Sequence, residues 1–395
     1  MNKGIGRWGR LVMACVTLLM AGVIYAWSIL KSPLAEEFGW TLSQTQFCFT
    51  LTLCFFCLGG LASGLLSKKL SSRVRMLIAA VLIIAGFTIA GTLKGSIALM
   101  DIAYGVLAAG GIGIVYNVVI SATNAWFPDK KGLASGAMMM SFGFSALVLG
   151  KLADKLFGMP GIGWRSTYLL YGAVIGCVMI LAAFLIQAPD QKKGASAAKA
   201  ADENDVETKD MIRRVSFWKL FVFFTLLAAV GSTAIGFGKD FFVATGLSAE
   251  SAVTVAGLLS IFNGLGRLFS GALFDKAGLR KTQYITSLVA ILAPLTALIA
   301  LLLGVPAIGV AGLILCAFLY GFSPTVSSAF ASAFYGTRNF ALNFSVLNLV
   351  LIPASFASTL AGKLVEASGG YVSTFIVLAA LSAVGLIVNI SIKKA

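Results

Sequence analysis

Long apolar runs recur along the whole chain, and they constrain its fold more than any other feature. Of the 395 residues, 59% are hydrophobic and only 11% are charged, whereas a soluble protein carries about 25% charged residues. A helix of about 20 apolar residues matches the hydrocarbon thickness of a bilayer. The sequence therefore predicts an all-α integral membrane protein.

Breaks at charged residues, glycines and prolines divide the apolar runs into twelve predicted membrane helices. Their predicted limits are 9–31, 42–66, 75–93, 97–122, 132–157, 165–187, 217–238, 249–273, 282–303, 306–329, 340–364 and 371–391. The first run is too long for a cleavable signal peptide, so we expect it to remain as helix 1. The polar segment 188–216 is predicted to be a cytoplasmic linker between two six-helix halves, residues 1–187 and 217–395.

The placement of the charges indicates the orientation and the partners of the chain. The net charge is +15, with basic residues concentrated in alternate loops and at both ends. The main basic groups are Lys3, Arg7 and Arg10; Lys68, Lys69, Arg73 and Arg75; Lys276, Arg280 and Lys281; and Lys393 with Lys394. This positive-inside pattern predicts both termini in the cytoplasm and a lipid bilayer, not nucleic acid, as the partner.

The residue types argue against an enzyme, a cofactor or a metal site. The chain has no histidine, and its six cysteines all lie in apolar runs. Cys54 and Cys57 have CxxC spacing, but their apolar surroundings indicate packing. Without histidine, a carboxylate pair in a span or metal-ligand spacing, we expect no catalytic centre. Nothing in the sequence indicates the charged or carbonyl-lined filter of a channel.

One ionisable residue, Arg267, lies deep inside a predicted span. It precedes Asp275, at the end of that span, by eight residues, or roughly 12 Å of helix. A guanidinium near the middle of a bilayer costs at least about 2.5 kcal/mol on insertion scales. Its planar fork matches both oxygens of a carboxylate. We therefore expect Arg267 to bind an anionic substrate, with a structural arginine as the alternative. Asn263, one turn earlier, is expected either to orient Arg267 and contact substrate or to hydrogen-bond a neighbouring helix.

The two predicted halves carry related loops after helix 2 and helix 8. The loops start at Gly64 and Gly271, 207 residues apart, and paired six-helix repeats are a transporter architecture. The second loop, from Gly271 to Lys281, resembles the signature of the major facilitator superfamily, whose fold has twelve helices. In the first loop Lys68 stands where that signature has an acid. The resemblance implies a cytoplasmic latch that includes Asp275 and Arg280.

Within that superfamily the chain resembles the oxalate/formate antiporter family and bacterial monocarboxylate transporter homologues. The matching segments are Gly22–Ser28, Gly111–Tyr116, Asn124–Gly136, Asn263–Arg267 and Arg338–Asn339. The resemblance implies that the arginine at this motif position binds the anionic substrate. It also places Tyr25 and Tyr116 at the site, where a substrate carboxylate would satisfy their buried phenols; ordinary packing is the alternative for both.

The same resemblance implies cavity-lining roles for Phe142 and Tyr320, each of which equally fits an ordinary core position. The oxalate exchanger has a lysine in helix 11 where this chain has Leu347, followed by Asn348. A dianion would then leave one charge without a cationic partner, which is costly. A single cation predicts a monocarboxylate. Asn263 replaces the acid that accompanies proton coupling in mammalian monocarboxylate transporters, so the proton route is left open.

Two further charged groups lie at predicted helix ends. Lys151 and Asp154, with Lys155 beside them, are expected to pair locally, and Lys239 with Asp240 to lie at the outer end of helix 7. The alternative for both is an extracellular gate or an anion-attracting vestibule.

The sequence as a whole predicts a secondary transporter of small monocarboxylates such as lactate, pyruvate or formate. We expect substrate to bind between the halves near the midplane and to cross by alternating access, with a co-transported proton. The alternatives are an antiporter that exchanges oxalate- or formate-type anions, and an exporter of hydrophobic compounds. The predicted location is the inner (cytoplasmic) membrane of the cell.

Overall fold

The structure is a computed structural model. It describes residues 6–67, 69–127, 131–187, 205–336 and 340–392, without the side chains of 131–133, 135, 275, 328, 332, 340 and 341. Within these ranges the regular elements are all helices. The predicted all-α class is confirmed.

Twelve helices in the described residues are long and apolar enough to cross a membrane. We number them α1 to α12: Arg7–Phe38, Leu42–Leu66, Ser72–Gly91, Ile97–Asn124, Gly136–Phe157, Gly163–Leu185, Val215–Gly236, Ala249–Phe274, Lys276–Leu303, Pro306–Tyr335, Leu342–Ser368 and Val372–Ile390. The predicted architecture of twelve transmembrane helices is confirmed, although several helices extend beyond their predicted ends.

The first helix shows why its predicted end was wrong. A charged residue usually marks the end of a span, so the sequence places the end of helix 1 at Lys31. In the structure α1 continues through Ser32–Phe38. Lys31 is only 2% exposed, and its Nζ donates a hydrogen bond to Thr45 Oγ1 on α2 at 3.2 Å. Helix α1 therefore continues past Lys31, because Thr45 of the neighbouring helix accepts a hydrogen bond from the Lys31 ammonium group.

Three of the spans contain a turn that departs from α-helical geometry. α1 contains a 3₁₀ turn at Gly22–Ala26, α4 a π-helical stretch at Asp101–Ala108, and α11 a 3₁₀ turn at Asn348–Val350. Such irregular turns are frequent at functional hinges and sites. Two of the predicted site residues, Tyr25 and Asn348, lie within them.

The described helices group into two compact units, one covering Met1–Lys192 with Ala249–Ile261, the other Lys193–Ser248 with Phe262–Ala395. In the first unit α3 packs most extensively on α6, α2 on α4, and α1 on α5. In the second unit α7 is central and packs on α10, α11 and α12.

Both units satisfy the end of their last helix with a basic side chain from their first helix. Arg10 Nη1 donates to the carbonyl of Leu185, at the end of α6, at 2.7 Å. Lys219 Nζ of α7 donates to the carbonyl of Ser391, just after α12, at 2.9 Å. The last carbonyls of a helix lack partners within the helix and attract cations. The repeated contact is an internal sign that the units are related.

A segment of the second unit that precedes α7, which we call the linker strap (Asp205–Met211), is held against the ends of α10 and α11. The Val206 amide donates to the carbonyl of Tyr335, the last residue of α10, at 3.1 Å. Asn343 of α11 donates through Nδ2 to the Val206 carbonyl at 3.0 Å and accepts from Thr208 Oγ1 at 2.6 Å. Tyr335 and Asn343 are fully buried. The strap thus joins the ends of α10 and α11.

Gly278, the third residue of α9, interrupts the helical backbone shortly after the end of α8. Gly278 has φ 72° and ψ 179°, a backbone conformation that residues with a side chain rarely adopt. Lys68 and the Asp275 side chain lie outside the described residues, so the latch stays a prediction.

Candidate functional site

Arg267 lies inside α8, seven residues before Phe274, the last residue of that helix. At about 1.5 Å per residue this is roughly 10 Å from the helix end, well within an apolar layer about 30 Å thick. The residue is 9% exposed. A guanidinium at this depth is costly to desolvate and is retained where it interacts with an anion or with polar partners.

Asn263 precedes Arg267 by one helical turn and lies on the same face of α8. It is 1% exposed, and its Oδ1 is buried without a hydrogen-bond partner among the described residues. A buried amide oxygen without a partner is expensive. The atom is therefore available to accept a hydrogen bond from the guanidinium or from a bound ligand.

α10 brings Tyr320 next to this part of α8. Gly321 has no side chain, and its backbone lies against the Asn263 carbonyl oxygen and the Arg267 amide. Tyr320, the preceding residue, is 3% exposed, and its backbone lies against Gly231 of α7. The second unit thus places Asn263, Arg267 and Tyr320 on two helices in backbone contact.

The helix 11 position that the resemblance singles out is apolar. Leu347 is fully buried, so a bare aliphatic side chain fills the position expected to correspond to the lysine of the oxalate exchanger. Asn348 opens the 3₁₀ turn of α11 and is half-buried. Its role in binding stays a prediction.

The first unit contains an aromatic cluster, which we define as Tyr25, Phe56, Tyr116 and Phe142. The Tyr25 and Phe142 ring centroids are 5.3 Å apart at 87°, and those of Tyr116 and Phe142 are 5.2 Å apart. Edge-to-face contacts of this kind are favourable. Gly22, in the same turn as Tyr25, lies against the Phe142 carbonyl, which brings α1 close to α5. The three predicted aromatic residues of the first unit therefore lie together.

Sequence reasoning missed the fourth member, Phe56 of α2. Its ring centroid is 5.3 Å from that of Tyr116 and 6.1 Å from that of Phe142. A signal for it is present in the repeat, because Phe56 precedes Asn263 by the same 207 residues that separate the two loops.

Lys31 and Arg75 are also buried cations, with exposures of 2% and 7%. Arg75 Nη1 donates to the carbonyl of Ser63 at 2.9 Å and to its Oγ at 3.1 Å. The sequence places both residues at helix ends, which holds for Arg75, in the first turn of α3, whereas α1 continues past Lys31 to Phe38. Their burial becomes visible only when the neighbouring helix is known.

The charged pairs at the helix ends are less organised than expected. Lys151 is exposed and Asp154 half-buried, and the described residues include no ion pair between them. The expected local pairing is wrong for this structure, because an exposed lysine gains little from holding such a contact. Lys239 and Asp240 are half-buried in the short helix Gly238–Ala244 that follows α7.

The signature segment after α4 is described as far as Phe127. Trp126 Nε1 donates to the carbonyl of Gln187 at 2.6 Å, and the guanidinium of Arg10 lies 4.4 Å from its ring centroid. This tryptophan therefore joins the ends of α1, α4 and α6. Residues 128–130, the side chain of Lys131 and the Arg338–Asn339 match lie outside the described residues. Among the described side chains, no group of three or more His, Cys, Asp or Glu could hold a metal ion.

Comparison with known proteins identifies the family. The Major Facilitator Superfamily profile matches residues 12–352. The oxalate:formate antiporter of Oxalobacter formigenes is 28% identical over 378 residues, which cover 95% of this chain and 89% of that protein. Human monocarboxylate transporter 12 is 22% identical, over 94% of this chain and 78% of that protein.

Solved structures show the same fold at lower sequence identity. The D-xylose-proton symporter superposes with a TM-score of 0.73 at 14% identity, over 96% of each chain. The nucleoside transporter NupG superposes with a TM-score of 0.73 at 13% identity, over all of both chains. Because the family profile matches most of its length, and the described residues include twelve helices able to cross a membrane, this chain belongs to the major facilitator superfamily, whose members are membrane transporters and not enzymes.

Proposed function

We propose that this transporter carries small monocarboxylates, such as lactate, pyruvate or formate, with Arg267 as the anchor of the carboxylate. The observation that carries the proposal is the burial of Arg267 beside Asn263, whose Oδ1 has no partner among the described residues. A charge-assisted bidentate pair is the strongest contact that one side chain offers a carboxylate. The similarity to an oxalate:formate antiporter and to monocarboxylate transporters supports an anionic cargo.

The buried Leu347 favours a single carboxylate. A second carboxylate bound next to an aliphatic side chain would lose its hydration without gaining a cation, and that is costly. The tyrosines Tyr25, Tyr116 and Tyr320, with Asn348, would then hydrogen-bond the substrate, and Phe142 would contact its apolar part. We propose that a proton accompanies the anion and that the protein lies in the inner membrane with cytoplasmic termini.

Anion exchange is the second candidate, and the similarity to an oxalate:formate antiporter over 95% of this chain favours it. The cargo would then be oxalate- or formate-type anions that cross in opposite directions.

Uptake of labelled formate, lactate and oxalate into proteoliposomes separates the two candidates. We expect an inward proton gradient to accelerate lactate or formate uptake, and oxalate to enter at least about tenfold more slowly, as one missing contact of about 1.4 kcal/mol implies. Oxalate-for-formate exchange that ignores the gradient would instead support the antiporter.

A further inference from the structure

The two units share one close helix packing at the same repeat positions. In the first unit a Cβ added to Gly113 of α4 would collide with the Phe56 carbonyl oxygen and lie 3.0 Å from the Gly60 amide. In the second unit a Cβ on Gly321 of α10 would collide with the Asn263 carbonyl oxygen and lie 2.9 Å from the Arg267 amide.

A second pair of glycines tightens the same contact in each unit. A Cβ on Gly59 of α2 would collide with the Gly110 carbonyl, and one on Gly266 of α8 with the Phe318 carbonyl. Gly266 follows Gly59 by 207 residues. Helices come this close only where small residues let their backbones meet. The packing is therefore a property of the repeat, and it fixes α8 against α10 as it fixes α2 against α4.

The two units differ in the side chain that they carry at this helix contact. Gly60 of α2 corresponds to Arg267 of α8, again 207 residues later. The second unit alone carries a charged side chain at this backbone contact, directly next to the glycine that sets the distance between the helices.

We propose that Gly321 is a positioning residue for Arg267, a role that rests on the proposed carboxylate anchor. By excluding a side chain between α10 and the Asn263–Arg267 turn, it sets the depth and direction of the guanidinium. A bidentate pair requires such control, because displacements of about 1 Å cost large factors in binding and rate. Gly266 reinforces the contact from the α8 side.

Gly321→Ala tests this inference with two matched controls. Gly312 lies on the same helix, and a Cβ there would lie only 2.5 Å from the Ala297 backbone nitrogen of α9. Gly312→Ala therefore introduces the same kind of backbone clash at a site away from Arg267. A Cβ on Gly271 would meet only Thr325 Cγ2 at 3.5 Å, an ordinary contact. Thermal midpoints in detergent show what each substitution does to the fold.

We expect Gly321→Ala to raise the KM for lactate or formate by at least about tenfold, with a smaller change in kcat. Gly312→Ala should lower the thermal midpoint by a similar amount and leave KM within about twofold of wild type, the usual range for sites without shared contacts. Gly271→Ala should resemble wild type. Equal KM changes in Gly321→Ala and Gly312→Ala, or none in either, would overturn the inference.

Two provisions keep the result decisive. If Gly321→Ala does not reach the membrane, Gly266→Ala is compared with Gly312→Ala in the same way. Arg267→Ala in the same assay separates the two claims. Wild-type uptake by Arg267→Ala would contradict the proposed function itself. Loss of uptake in Arg267→Ala together with an unaltered KM in Gly321→Ala would contradict only the positioning role of Gly321.

Discussion

Asn263 and Arg267 form the polar part of α8 that faces away from lipid, with exposures of 1% and 9%. On α10 the backbone of Gly321 lies against the Asn263 carbonyl oxygen and the Arg267 amide. The Asn263 side chain is a neutral amide, so it brings no negative charge to the i−4 position. An acid at the same position would compete with the substrate carboxylate for the guanidinium.

Asn263→Asp makes this competition measurable. At neutral pH the new carboxylate should pair with Arg267 and raise the KM for lactate by about tenfold, or about 1.4 kcal/mol. The measurement is KM at neutral pH relative to Asn263→Leu, which removes the amide without adding a charge. Equal KM values for the two variants would contradict this account.

At the scale of elements, the irregular turns and the linker strap are the parts that the sequence reveals least. Apolar periodicity locates α11 but does not show that Asn348–Val350 is a 3₁₀ turn. The strap depends on Asn343, whose amide bonds both Val206 and Thr208. Because Asn343 and Val206 are 137 residues apart in sequence, local pattern carries no signal for their contact.

Asn343→Ala should release the linker strap from α10 and α11. The Val206 amide donates a hydrogen bond to the Tyr335 carbonyl, which should slow its hydrogen exchange. In Asn343→Ala we expect that exchange to accelerate by about tenfold or more, because the segment opens locally. Asn389→Ala is the matched control. Asn389 is a buried asparagine whose Nδ2 bonds Gln283 and Ser287 of α9, and its loss should leave exchange in Asp205–Met211 unchanged. Unaltered exchange in Asn343→Ala would show that the strap is held by other contacts.

At the scale of the whole molecule, hydropathy and loop charge predict the number of spans and the helical class. The Gly271–Lys281 loop indicates the family. Arg267 can be recognised from the sequence alone, because it is a charged residue within a long apolar run. Lys31 and Arg75 escape the same reasoning, since burial by a neighbouring helix is a tertiary fact. Phe56 becomes recognisable once its contact with Gly113 is matched to that of Asn263 with Gly321.

The central claim is that Arg267 anchors the substrate carboxylate, and the most direct test is uptake by Arg267→Ala beside Arg75→Ala. Arg75 is the matched control because it is another buried arginine, 7% exposed, held by Ser63 in the first unit. We predict that Arg267→Ala loses lactate or formate uptake by more than about 100-fold, as the loss of a buried charge partner of about 3 kcal/mol implies. Arg75→Ala should lower thermal stability and keep a near wild-type KM. Undiminished uptake by Arg267→Ala, or an equal loss of affinity in both variants, would contradict the account.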